Sequence, residues 1–144
     1  MISFDLTGKV AVITGASSDL GEQFAKALSE QGCDVAVLAR RVERLEELSK
    51  KLKENGHDCL LVACDVTNEE SIKEAVKKIE EHYGHIDILV NNAGVVEYSS
   101  GLHDHTTEQW DEVLNTDLKG VFLMGREVSK VMMKQNSGNN YAQS

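Results

Sequence analysis

The chain has 144 residues, of which 41% are hydrophobic and 27% charged, and its formal net charge is −9. That is enough length to bury a core, and the acidic balance argues against a general nucleic-acid binder. No apolar run approaches the roughly 20 residues needed to span a bilayer, and the N-terminus lacks a signal-peptide pattern, so a cytoplasmic protein without membrane contact is expected.

Lys9–Thr14 (KVAVIT) is a short β-branched run between Gly8 and Gly15 and reads as a buried strand. Leu20–Gln31 follows with Leu20, Phe24, Ala27 and Leu28 at helical spacing, and Gly32 ends it. Asp34–Ala39 is a second strand. Val42–Glu54 is a charged amphipathic helix with Leu45, Leu48 and Leu52 on one face, stopped by Asn55 and Gly56. Cys59–Ala63 is a third strand. Thr67 and Glu70 have capping-box spacing and open a helix to about Tyr83, whose inner stripe is Ile72, Val76 and Ile79. Ile86–Val90 is a fourth strand. Thr106 and Gln109 repeat the capping-box spacing before a helical stretch to about Lys134, which a break could interrupt. With no proline in the chain, every turn is left to Gly, Asn, Asp and Ser. The cysteines, Cys33, Cys59 and Cys64, form no CxxC pair and read as buried thiols.

Apolar, non-alternating strands separated by amphipathic helices imply an α/β fold: a doubly wound parallel sheet with helices on both faces. In such sheets ligands bind beyond the carboxyl ends of the strands. At the first of those ends stands "TGASSDLG", residues 14–21. A helix N-terminus presents unpaired backbone N–H groups and the positive end of the helix dipole, which together attract a pyrophosphate. Gly15 and Gly21 would let backbone approach closely, although two glycines alone also suit an ordinary strand–helix turn.

Further motifs stand at the ends of successive elements: "CDVTN" at 64–68, "NNAG" at 91–94 and "NTDLKG" at 115–120. With "TGASSDLG", this ordered set resembles the short-chain dehydrogenase/reductase family over nearly the whole chain. The opening "DLTGKVAVITGASS" is similar to members acting on sugar acids and polyols. The resemblance implies a Rossmann-type sheet, with residues 1–144 as one dinucleotide-binding domain that lacks later strands and the substrate-binding region. It implies cofactor contacts from Gly15, Ser17, Ser18, Asp19, Leu20 and Gly21 in the first loop. Asp65, with Val66, matches the aspartate that meets the adenine ring; Asn91, Ala93 and Gly94 match the segment beside the ribose. Asp65 also suits a helix start, and Asn91 a bond to backbone inside the sheet.

Asp19 departs from the family, which has a glycine there. Its carboxylate suits a helix N-terminus by about 0.3–1 kcal/mol. Against a pyrophosphate some 5 Å away it would cost roughly 1 kcal/mol in water. Weakened cofactor binding is expected unless the side chain turns outward.

The second strand ends in Ala39, which cannot accept a bond from a ribose 2′-OH, and Arg40 and Arg41 follow. A guanidinium can pair with a 2′-phosphate, so NADP(H) is favoured over NAD(H), with Arg40 the better placed; Arg41 and Arg44 also read as solvated charges.

For chemistry, the resemblance implies hydride transfer between a nicotinamide and a small carbonyl or hydroxyl substrate, with a tyrosine moving the proton. A neighbouring lysine favours the phenolate and brings the tyrosine towards the working range. Asn115 matches the family's asparagine, and Tyr141 in "YAQS" resembles the start of Tyr-x-x-x-Lys. No fifth strand with the family's serine separates them, and the spacing from Asn115 to Tyr141 is too short. The expectation is a chain lacking an internal segment and everything beyond Ser144, not competent as a reductase by itself; the alternative is a chance tail. A rival reading is a non-catalytic dinucleotide-binding module, a sensor or scaffold. His103 and His105 lack a third ligand at a familiar spacing, so no metal site is expected. Trp110 reads as core. Gly120 and Gly125, among Val121, Phe122, Met124, Val128 and Met132, permit close packing; the resemblance places this helix in a homo-oligomer, a dimer or tetramer, while a buried intramolecular face explains the same stripe. Asp117 departs from an asparagine frequent in the family.

Overall fold

The computed structural model describes residues 5–16, 19–92 and 106–135, with the backbone alone at 109–110 and 112–117. Strand β1 (Val10–Thr14), helix α1 (Asp19–Glu30), β2 (Asp34–Ala39), a 3-10 turn (Val42–Leu45), α2 (Glu46–Glu54), β3 (Cys59–Ala63), α3 (Glu69–Tyr83), β4 (Ile88–Val90) and α4 (Thr107–Gln135) follow in order. The strands form one parallel sheet in the order β3-β2-β1-β4. This is the doubly wound, Rossmann-like arrangement expected from the alternation of short apolar runs and amphipathic helices.

Because successive strand residues point to opposite faces, each strand feeds two cores. Val12, Ala36, Leu38, Val62 and Leu89 pack on one face with Ile72, Val76 and Ile79 of α3 and Met124, Val128 and Met132 of α4. Ala11, Ile13, Val35, Val37 and Val90 pack on the other with Ala25 of α1 and Leu48 and Leu52 of α2. All five β1 residues are buried, as a central strand covered on both sides requires. The cysteines are buried and unbridged, and burial pushes the Cys33 thiol up to about 11.

Several boundaries differ from the sequence reading. The helix predicted over 42–54 starts as a 3-10 turn, with no side-chain cap on Arg41. The cap of α3 is Asn68, whose side chain accepts from the Ser71 amide at 3.0 Å. Thr67 lies outside the helix and bonds Asp65 instead. Helix α4 runs unbroken through Asn115. Its apolar stripe divides: Leu123, Met124, Val128, Val131 and Met132 are buried, whereas Leu118, Phe122 and Met133 are 62%, 63% and 75% exposed. Gly120 makes a close approach, since a Cβ there would lie 2.8 Å from the Val66 carbonyl oxygen. That close packing is intramolecular; a Cβ on Gly125 would meet nothing within 4 Å.

Candidate nucleotide-binding edge

The carboxyl ends of the four parallel strands lie together along one edge. Thr14, Ala39, Ala63 and Val90 are the last residues of their strands. Beyond β1 the chain turns at Gly15, whose φ of +61° is a left-handed conformation that side chains disfavour. Helix α1 then begins at Asp19 and brings Gly21 down onto that turn. A Cβ at Gly21 would sit 2.4 Å from the Gly15 carbonyl oxygen and 2.8 Å from the Ala16 Cα. The two glycines therefore have separate duties: Gly15 makes the turn and Gly21 admits helix to strand. Strand, tight turn and exposed helix start form a backbone cradle that fits a phosphate group. Asp19 and Leu20 are exposed, Leu20 by 50%. Ser17 and Ser18 lie outside the described residues.

Below the cradle, a polar network ties β1 to β4. The Thr14 hydroxyl donates to Asn91 Oδ1 at 3.1 Å and accepts from the Asn92 amide at 2.9 Å. Asn91 Nδ2 donates to the Val121 carbonyl of α4 at 3.0 Å, and Asn92 Nδ2 to the Gly15 carbonyl at 3.4 Å. Thr14, Asn91 and Asn92 are 0%, 1% and 5% exposed, so these bonds satisfy groups that burial would otherwise penalise. Asn91 thus holds two elements at the sheet edge, matching the reading of a side chain bonded to backbone. Thr14 and Asn92 belong to motifs quoted above, but their duty appears only when residues 77 and 78 apart meet. Ala93 and Gly94 lie outside the described residues.

On the far side of β1, Ala39 is 7% exposed and carries no polar group that could meet a ribose hydroxyl. The exposed Arg40 follows and its Nη2 reaches Asp65 Oδ1 at 3.2 Å. That same oxygen accepts from the Thr67 amide at 3.0 Å and the Thr67 hydroxyl at 2.6 Å. These Thr67 bonds, with Arg40 adding to them, hold the Asp65 carboxyl below the usual range. The residues expected at the adenosine end are therefore brought into direct contact, although 25 positions separate them. Arg41 is exposed in extended backbone, and Val66 is half-buried beneath Gly120.

Of the residues expected to carry chemistry, Asn115 lies on α4 at a position where only backbone is described, and Tyr141 lies outside the described residues. So do His103 and His105; among the described residues no group of three or more His, Cys, Asp or Glu is gathered for a metal ion. Among them, too, no helix is long and apolar enough to cross a membrane.

Comparison with known proteins agrees with this architecture. Residues 9–139 match the family model described as short chain dehydrogenase. An uncharacterized oxidoreductase of Staphylococcus epidermidis is 39% identical over 130 residues, covering 90% of this chain and 55% of that protein. The chain thus spans about half the length of the curated relatives it matches. A short-chain type dehydrogenase/reductase from Mycobacterium marinum superposes with a TM-score of 0.87 at 34% identity, over 96% of this chain and 55% of that one. A metagenomic short-chain oxidoreductase in complex with NADP gives 0.84 at 31%, covering 96% and 62%. An NAD+-bound xylitol dehydrogenase gives 0.86 at 32%, covering 95% and 53%.

Proposed function

The chain belongs to the short chain dehydrogenase family, and we propose that it forms the cofactor-binding half of an NAD(P)-dependent oxidoreductase that prefers NADP(H). The observation that carries the preference is the end of β2, where a buried Ala39 offers no acceptor and an exposed Arg40 offers a guanidinium. One relative carries NADP and another NAD+, so family membership leaves the choice to these local residues.

When bound, the nicotinamide supplies or takes up the hydride that interconverts a hydroxyl and a carbonyl. The chain's own residues bind and orient. Backbone N–H groups at the start of α1, with the Gly15 turn beneath them, hold the phosphates; Ser17 and Ser18 add hydroxyl donors, and Leu20 covers the loop. Asp65 and Val66 take the adenine side, Arg40 and Arg41 the 2′-phosphate, and Asn91, Ala93 and Gly94 the ribose side. Asn115 supports proton transfer and Tyr141 holds the proton, roles carried over from the family pattern. The substrate is a small carbonyl or hydroxyl compound such as a sugar acid, polyol or ketone. The exposed Leu118, Phe122 and Met133 on α4 support assembly as a homo-oligomer. A cytoplasmic location accords with the acidic composition and free thiols.

Paired titrations with NADPH and NADH test the assignment. Arg40→Ala should lower the NADPH:NADH affinity ratio roughly tenfold, the scale of one charge-assisted pair. An unchanged ratio would sink it. Oxidation of NADPH against a panel of carbonyl compounds tests catalysis separately; tight binding with no turnover would favour the non-catalytic reading.

A further inference from the structure

The contact between Arg40 and Asp65 joins two groups that the cofactor reading assigns to different parts of the adenosine end. Three donors converge on one oxygen, Asp65 Oδ1: the Thr67 hydroxyl at 2.6 Å, the Thr67 amide at 3.0 Å and Arg40 Nη2 at 3.2 Å. The Thr67 bonds are local and fix the carboxylate whether or not Arg40 is there. Arg40 makes the longest of the three, and its side chain is 70% exposed against 40% for Asp65. The anion is thus anchored, and the cation is the partner free to leave.

We propose that Asp65 is a specificity-determining residue that competes with a 2′-phosphate for Arg40. The inference rests on the NADP(H) reading above and adds to it a partner exchange. With a 2′-hydroxyl nearby, Arg40 stays on Asp65 and no cation is left unpaired. A 2′-phosphate offers a doubly charged acceptor and draws the guanidinium across, away from an anchored carboxylate that also repels the phosphate. The device lowers affinity for the phosphorylated cofactor relative to a free arginine and lets the unphosphorylated one bind without penalty. Exposed ion pairs are weak, so the exchange is easily driven.

The test uses nucleotide fragments that need only the adenosine end: 2′,5′-ADP and 5′-AMP, titrated calorimetrically into the protein at low and high salt. Asp65→Asn keeps an acceptor for Thr67 and removes the charge. It should raise 2′,5′-ADP affinity about three- to tenfold, on the scale of one weak ion pair, and leave 5′-AMP within about twofold. The gain should shrink at high salt, because exposed charges are screened. In an Arg40→Ala background the same substitution should change 2′,5′-ADP affinity less than about twofold, since no cation remains to be released. No gain in the single variant, an equal gain without Arg40, or parallel changes for both nucleotides would overturn the exchange. Wild-type protein that binds neither fragment would instead overturn the cofactor assignment, and this inference with it.

Discussion

Asp19 and Gly21 stand two positions apart in one loop and are constrained by different physics. Gly21 is fixed by contact, because any side chain would drive into the Gly15 carbonyl. Asp19 is exposed at the first position of α1, so its interaction with a bound phosphate is of the weak, aqueous kind. Asp19→Gly should therefore tighten NADPH binding by no more than about fivefold, from roughly 1 kcal/mol of like-charge repulsion. Titration at low salt checks this; a larger gain would mean that the carboxylate faces the phosphates out of water. The glycines and the acid were legible in the sequence. Which of them packs and which meets solvent was not, since that depends on how α1 leans on β1.

At the scale of elements, hydrophobic period located every strand and helix, and cap chemistry misplaced one start. Thr67 and Glu70 have the spacing of a capping box, yet Asn68 caps α3 and Thr67 turns back to Asp65. Two candidate caps side by side cannot be ranked by spacing. Here Thr67 is drawn away by an anchored carboxylate that only the turn after β3 supplies. Asn68→Ala should cost about 1 kcal/mol of stability, and Asn68→Ser should restore most of it. Denaturant midpoints measure both, and no loss with alanine would remove Asn68 from the cap. The apolar stripe of α4 was similarly legible in part. Its period shows one buried face, but Phe122 lies off it, with the Arg126 guanidinium 5.6 Å from its ring centre.

Across the whole molecule, pairs of ionic groups join elements far apart in sequence. Arg126 of α4 binds Glu69 of α3 at 2.5 Å, and His82 at the end of α3 meets Asp58 before β3 at 3.0 Å. Partial burial raises the Asp58 pKa, but bonds from His82 and Tyr83 outweigh it and hold the carboxyl below its usual value. The Asp65, Glu69 and Glu127 carboxyls are lowered as well. A lowered carboxylate contributes stability that is fully present above its unfolded pKa of about 4 and lost as pH falls through the folded value. The melting temperature should therefore hold from pH 7 to about 5 and fall steeply towards pH 3, with Asp58→Asn narrowing its gap from wild type over that fall. Calorimetry across the range checks it; a flat profile below pH 4 would contradict these pairs.

The sequence by itself determined the class of fold, the strand ends where a nucleotide would bind and the family. Those are carried by local features: a period of apolar residues, glycines at turns and short motifs read in order. Only the tertiary structure decided that Thr14 locks onto Asn91 and Asn92, that Gly120 closes on Val66, and that Arg40 rests on Asp65. Each of these joins residues from different elements. Their meeting is set by sheet register and helix packing, which sum weak preferences over the whole chain, so no single stretch of sequence contains them.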